Sequence, residues 1–138
     1  MNIYRMLEHL GWAIVDKDFK DANRYLAPWV LDDIGPNGLR EAIDEHIRTV
    51  ADELGLESSG YPSEVEVDSD ASSLSDLSDT GRRSIYPEVT DKNFREWCCI
   101  LFLGDGDKDV DAWLDMWVAV VEIKGELKIG YFELAYPD

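Results

Sequence analysis

The chain is expected to fold as an α+β protein with three N-terminal helices packed on an antiparallel sheet of four to six strands. Three observations carry that expectation. Apolar residues recur at three-and-four spacing as far as Leu54, the spacing changes to two from Tyr61 onward, and Lys124-Gly125 sets a tight-turn pair between the last two apolar runs.

In the helical half, Ile3, Met6, Leu7, Leu10 and Ile14 line one face of a first helix at about residues 2–16, with Gly11 inside it. Asp18 can cap a short second helix carrying Phe19, Ala22, Tyr25 and Leu26. That helix must stop before Pro28, because a residue preceding proline avoids helical ψ. Ala27-Pro28-Trp29 reads as a linker or short strand. The longest helix follows Gly35-Pro36-Asn37-Gly38: Leu39, Ala42, Ile43, Ile47, Val50 and Leu54 form its stripe, Asn37 is its N-cap and Gly55 its stop.

In the second half, Glu64-Val65-Glu66-Val67 alternates as a half-buried strand with its acids toward water. Residues 68–81, DSDASSLSDLSDTG, hold too little apolar surface to offset the entropy of ordering and are expected to form a mobile acidic loop. Further strands are expected at 84–89, 94–103, 112–123 and 126–136, each rich in β-branched and aromatic residues, with Gly104-Asp105-Gly106-Asp107 opening a longer turn. If the last hairpin closes with Ile123 opposite Leu127, then Trp113, Asp115, Trp117, Tyr131 and Glu133 share one sheet face. Leu114, Met116, Val118, Phe132 and Leu134 then pack on the helices, whereas a two-residue loop alters this pairing.

A length of 138 residues is that of one domain, 1–138, with one core. Thirteen Lys plus Arg against thirty Asp plus Glu leave a formal charge of −17, a field that repels polyphosphate and anionic headgroups, so neither nucleic acid nor a membrane surface is an expected partner. Residues 41–80 alone hold twelve acids and one base, Arg48, for a net −11. No leader-type segment or run of 18 uncharged apolar residues occurs, and the expected compartment is the cytoplasm.

The order of elements spans nearly the whole chain and resembles the nuclear transport factor 2-like (cystatin-like α+β) superfamily. Local echoes are Asp16-Lys17-Asp18-Phe19-Lys20-Asp21-Ala22, Leu26-Ala27-Pro28, and Gly125-Glu126-Leu127-Lys128-Ile129, in which Leu127 stands where many members carry tryptophan. The resemblance implies a curved sheet and a cone-shaped pocket between helices and sheet. It leaves function open, since the superfamily includes isomerases, dehydratases, transport adaptors, oligomerisation modules and toxin-immunity proteins.

Few residues are candidates for chemistry. His9 neighbours Glu8 on a solvated flank, and His46 borders the stripe of the longest helix, where it could reach a pocket mouth. Asp115 and Glu133 interrupt apolar runs and would titrate high if buried. Asp105-Gly106-Asp107-Lys108-Asp109-Val110-Asp111 alternates oxygen ligands but departs from the EF-hand pattern at Val110 and Met116, so an acidic turn and no metal is expected. Cys98 and Cys99 should be reduced, packed thiols on opposite faces of a strand. Ser73 and Ser75 lie among acids and suit an acid-directed kinase, a solvated loop being the plainer reading. No phosphate loop, nucleophile elbow or Cys/His cluster occurs, and no cofactor is expected.

The expected function is a non-catalytic acidic domain that docks a basic protein. Glu64, Glu66, Asp68, Asp70, Asp105, Asp107 and Asp109 are the expected contacts, joined by acids of the longest helix. Among members of the resembled superfamily, immunity proteins that neutralise a basic toxin match that description. The alternative is a small-molecule or isomerase/dehydratase-like pocket using Asp115, Glu133 or His46, with Tyr131, Tyr25 or Trp29 orienting a small hydrophobic substrate. A homodimer through Trp113 and Trp117 is a third expectation, and Trp29, Trp113, Trp117 and Tyr131 are the aromatic candidates for pocket or interface.

Overall fold

A computed structural model describes residues 2–53, 61–71, 85–104 and 112–135. Four helices, α1 (Ile3–Val15), α2 (Phe19–Asn23), α3 (Pro28–Ile34) and α4 (Gly38–Glu53), precede four strands, β1 (Glu64–Ala71), β2 (Phe94–Leu103), β3 (Ala112–Ile123) and β4 (Glu126–Ala135). The strands form one antiparallel sheet in the order β1-β2-β3-β4.

Caps set the helix limits much as the residues indicate. The Asn2 side chain accepts from the Arg5 N–H at 2.8 Å, and the Asp18 side chain accepts from the Asp21 N–H at 3.2 Å. The Asn37 carbonyl accepts from the Glu41 N–H at 2.9 Å at the start of α4. The expected stop at Gly55 lies outside the described residues.

The structure corrects the helix count from three to four. Ala27 is extended, with ψ at 153°, as a residue before proline should be, but Pro28 itself opens α3 at its first position. Proline's missing N–H is no loss there, and its fixed φ suits a helix. The strand expected at 84–89 is also corrected. Residues 85–93 form successive turns: Pro87 has no N–H for a ladder, and Thr90 and Asn93 bond reciprocally, Thr90 N–H to Asn93 Oδ1 at 2.8 Å and Asn93 N–H to Thr90 Oγ1 at 3.3 Å. Residues 68–71, expected to open the mobile loop, instead continue β1 by pairing with Cys99, Cys98 and Trp97. Residues 72–81 lie outside the described residues.

Helices cover one face of the sheet. Leu7, Leu10 and Ile14 of α1 and Leu39 and Ile43 of α4 meet Ile100, Phe102, Leu114, Met116, Val118 and Ile129, all fully buried. Gly11 lies where α1 crosses the sheet, and a Cβ there would stand 2.5 Å from Val65 Cγ1. The Tyr61 hydroxyl donates to the Ile14 carbonyl at 3.0 Å, and the Lys17 ammonium sits 4.5 Å from the Tyr61 ring centre, tying the approach to β1 to the end of α1. Burial and the nearby Asp44 charge push the Tyr61 phenol up to about 12.

A second, smaller cluster lies on the opposite face: Val89, Phe94, Trp97, Ala119 and Val121 are buried together beside Ile85, Trp117 and Tyr131. The turn segment 85–93 roofs part of this face, with the Tyr86 hydroxyl donating to Asp33 Oδ2 at 2.7 Å.

The β3–β4 hairpin turns on Lys124 and Gly125, with φ at 52° and 83°, so Ile123 pairs with Glu126 and not with Leu127. Farther along, Val120 pairs with Ile129 but Ala119 pairs with Tyr131, leaving Gly130 as an extra residue. That bulge restores the register an Ile123–Leu127 closure would have produced. It is anchored from the helical half: the Ala27 N–H donates to the Ile129 carbonyl at 2.8 Å, the Ile129 N–H to the Tyr25 carbonyl at 2.7 Å, and the Trp29 indole N–H to the Gly130 carbonyl at 2.8 Å.

A Cβ at position 130 would lie 2.8 Å from Val121 Cγ1 and 3.0 Å from Val89 Cγ2. Gly130→Ala is therefore expected to cost about 1–3 kcal/mol through overpacking. Trp29→Phe, which strips the bulge carbonyl of its indole donor, should cost a similar ~1–3 kcal/mol. Urea unfolding midpoints of the two variants against wild type measure both.

Candidate functional site

The side of the sheet away from the helices carries the only sequence-derived constellation that the fold assembles among the described residues. Strand pairing arranges it in rows. Glu66, Leu101, Asp115 and Ala135 face one another across the four strands; the next row is Asp68, Cys99, Trp117 and Glu133; the next is Trp97, Ala119 and Tyr131. These rows hold four carboxylates and no Lys or Arg. Glu64 continues the acidic edge of β1 opposite Leu103.

The aromatic rings form a near-parallel stack. Trp97 lies 5.9 Å from Trp117 at an interplanar angle of 12° and 6.2 Å from Tyr131 at 18°, while Tyr86 meets Tyr131 edge-on at 5.9 Å. Trp97 is buried at the centre, and Trp117 and Tyr131 are half-buried on either side. The Tyr131 hydroxyl donates to Glu133 Oε2 at 3.0 Å. Burial, with the hydrogen bond to Asp33, pushes the Tyr86 phenol up to about 12.

Asp115, Trp117, Tyr131 and Glu133 do share one face, as the residues indicate. Trp113 falls at an irregularity between the Phe102–Leu114 and Leu103–Ala112 pairs, where alternation no longer assigns its face. Asp70 falls at a similar irregularity between the Ser69–Cys98 and Ala71–Trp97 pairs. Asp105, Asp107 and Asp109, and Ser73 and Ser75, lie outside the described residues. Trp29 is not one of the stacked rings; its side chain packs against both hydrophobic clusters and its indole N–H clamps the β4 bulge.

The acid-rich stretch of sequence divides between two layers. Glu41, Asp44 and Glu45 are exposed on α4, whose buried side packs on the helix-facing side of the sheet, while Glu64, Glu66 and Asp68 are exposed on the other side. Arg40 and Arg48 interleave the α4 acids, and no base interleaves those of β1.

Sequence reasoning did not extend the face assignment to β2 and so missed Trp97. The alternation Trp97, Cys99, Leu101 within FREWCCILFL holds that signal. Cys98 and Cys99 form no disulfide, Cys98 packing in the helix-side core and Cys99 pairing with Trp117 across the ladder.

Space between helices and sheet is filled by the fully buried side chains named above, and no polar or charged residue is buried among the described residues. Glu133 is exposed, and Asp115 and His46 are half-buried. His46 sits on α4 against the end of β4, hydrogen-bonded to the Ala135 backbone. His9 is exposed on α1. An open groove of about 650 Å³ runs between α2 and the hairpin tip, but its carboxylates stand beside cations, Asp21 with Arg24 and Glu126 with Lys128, each at 3.8 Å. No group of three or more His, Cys, Asp or Glu able to hold a metal ion occurs among the described residues. No described helix is long and apolar enough to cross a membrane.

Burial lowers the His46 pKa from 6.5, outweighing the Ala135 hydrogen bond and the charges of Glu53 and Asp115, which raise it. A depressed folded-state pKa means that the unfolded chain binds the proton more readily. The contribution of His46 to stability is thus complete above 6.5 and is lost as pH falls below that value. Wild type should lose stability relative to His46→Gln as pH drops from about 7.5 to about 5. Urea unfolding of both proteins across that range isolates the effect from the titration of the many carboxylates.

Comparison of the chain with models of known protein families, with curated proteins and with solved structures returned no match.

Proposed function

We propose that the protein is a non-catalytic docking domain whose outer sheet face receives a basic protein partner. The observation that carries this reading is the row pattern: Glu66, Asp68, Asp115 and Glu133 frame a partly exposed aromatic stack with no base among them. Aromatic surface supplies contact area at low entropic cost, and surrounding charge supplies steering and selection of sign. The chain's formal −17 reinforces that field.

A catalytic reading draws less support. Neither Asp115 nor Glu133 lies on the helix-facing side, where the resemblance to nuclear transport factor 2-like proteins would put a pocket. Apolar side chains occupy that space. In its narrower form, the proposal is an immunity protein that covers the active site of a basic toxin such as a nuclease. That form rests on the resemblance and on the acidity of the chain.

Affinity capture from the native source at low salt, followed by mass spectrometry, is the direct test. The expected partner is basic, and its affinity falls at least tenfold as ionic strength rises from about 0.01 M to about 0.15 M, over which the screening length contracts from about 30 Å to about 8 Å. Glu64→Ser, Glu66→Ser and Asp68→Asn together should abolish capture, while Glu41→Ser and Glu45→Ser on α4 should leave it intact. A partner indifferent to salt and to the β1 substitutions contradicts the proposal.

A further inference from the structure

We propose that the row through Trp117 is an arginine-reading site: a guanidinium of the partner stacks on the exposed part of the Trp117 ring and hydrogen-bonds Glu133, while Asp68 holds a second cation at the row's far end. This rests on the docking role proposed above and narrows it to one side-chain chemistry.

The geometry supplies both halves of such a site. Trp97, buried and parallel to Trp117 at 5.9 Å and 12°, props the ring from one side and holds its plane. Glu133 is directly across the ladder from Trp117, on the same face and exposed, and Tyr131 donates to it and fixes one of its oxygens. A ring and a carboxylate on directly paired residues lie within reach of a single planar cation. Arginine suits that pair better than lysine, because its flat, weakly hydrated guanidinium stacks on an aromatic face while its edge N–H groups engage a carboxylate.

Ion pairing elsewhere sharpens the contrast. Glu122 meets Arg95 at 2.9 Å, and Asp21 and Glu126 each have a cation at 3.8 Å. Asp68 and Glu133 have no cation beside them among the described residues. The occupant is not a second copy of this chain. A two-fold interface through this face would bring its acidic rows against an identical acidic patch, between molecules of formal charge −17 each.

N-acetylated hexa-arginine and hexa-lysine amides, equal in charge, separate shape from charge. Titration of the full chain at low ionic strength, followed through the Trp117 indole N–H NMR resonance, should show hexa-arginine binding about tenfold tighter than hexa-lysine and shifting that resonance. Trp117→Leu should make the two peptides equal. Glu133→Gln, an exposed change that leaves the core untouched, should remove most of the preference. Equal affinities with an unmoved Trp117 resonance overturn the arginine site and leave electrostatic docking standing. Failure of both peptides to bind overturns the site and the docking role together. A low-salt dimer of the free protein that hexa-arginine does not dissociate places a second copy on this face and also overturns it.

Discussion

The β4 side chains of the outer face, Tyr131 and Glu133, depend on one extra residue in that strand. The Lys124-Gly125 turn starts the hairpin with Ile123 opposite Glu126. Continued unbroken, that register would set Tyr131 opposite Val118 and Glu133 opposite Met116, on the helix side, and would turn Phe132 and Leu134 to water. A single-residue slip moves every side chain of a strand to the other face. Burying a carboxylate without a partner costs several kcal/mol, and exposing two large apolar side chains forfeits about 1.5–3 kcal/mol each. A bulge sacrifices roughly one ladder hydrogen bond, about 1 kcal/mol, so the bulged register wins. Here even that loss is offset, because the Trp29 indole takes up the Gly130 carbonyl.

Helix α3 thereby acquires a purpose in the fold. It follows directly from the backbone bridge between Leu26 and Ile129 and delivers Trp29 to the bulge. The same region accommodates Val89 from the roofing turns, which is why position 130 has no space for a Cβ. Helical half, bulge and outer aromatic stack form one connected structure. The exposed carboxylates of Glu66, Asp68 and Glu133 around that stack are the part it does not need for folding. Like charges on neighbouring strands repel, and nothing in the helix-side core benefits from them.

Much of this was legible in the residues. Three-and-four spacing located α1 to within a residue or two and the start of α4, because each buries a continuous apolar stripe, and Asp18 caps where it was expected to. Richness in β-branched and aromatic residues located β2, β3 and β4. What escaped notice were the features that alternation cannot encode. Pro28 was read as an end when it is also a beginning. The bulges at Arg95 and Gly130 change which side chains face which way without changing the composition of their strands. The face shared by Trp117, Tyr131 and Glu133 was foreseen only under a pairing the hairpin does not use, and it holds because the bulge restores the outcome. For Trp97, alternation within FREWCCILFL groups it with Cys99 and Leu101, but which sheet face that group occupies depends on registering β2 against β3, a nonlocal pairing.

The central claim is that register, and it can be read directly. Cross-strand Hα–Hα nuclear Overhauser effects in the isotope-labelled protein report which residues of β3 and β4 lie opposite one another. The account predicts proximity of Trp117 to Glu133 and of Ala119 to Tyr131. Proximity of Trp117 to Phe132 and of Val118 to Tyr131 would show an unbulged hairpin, and it would contradict both the sorting of the two faces and the site built on it.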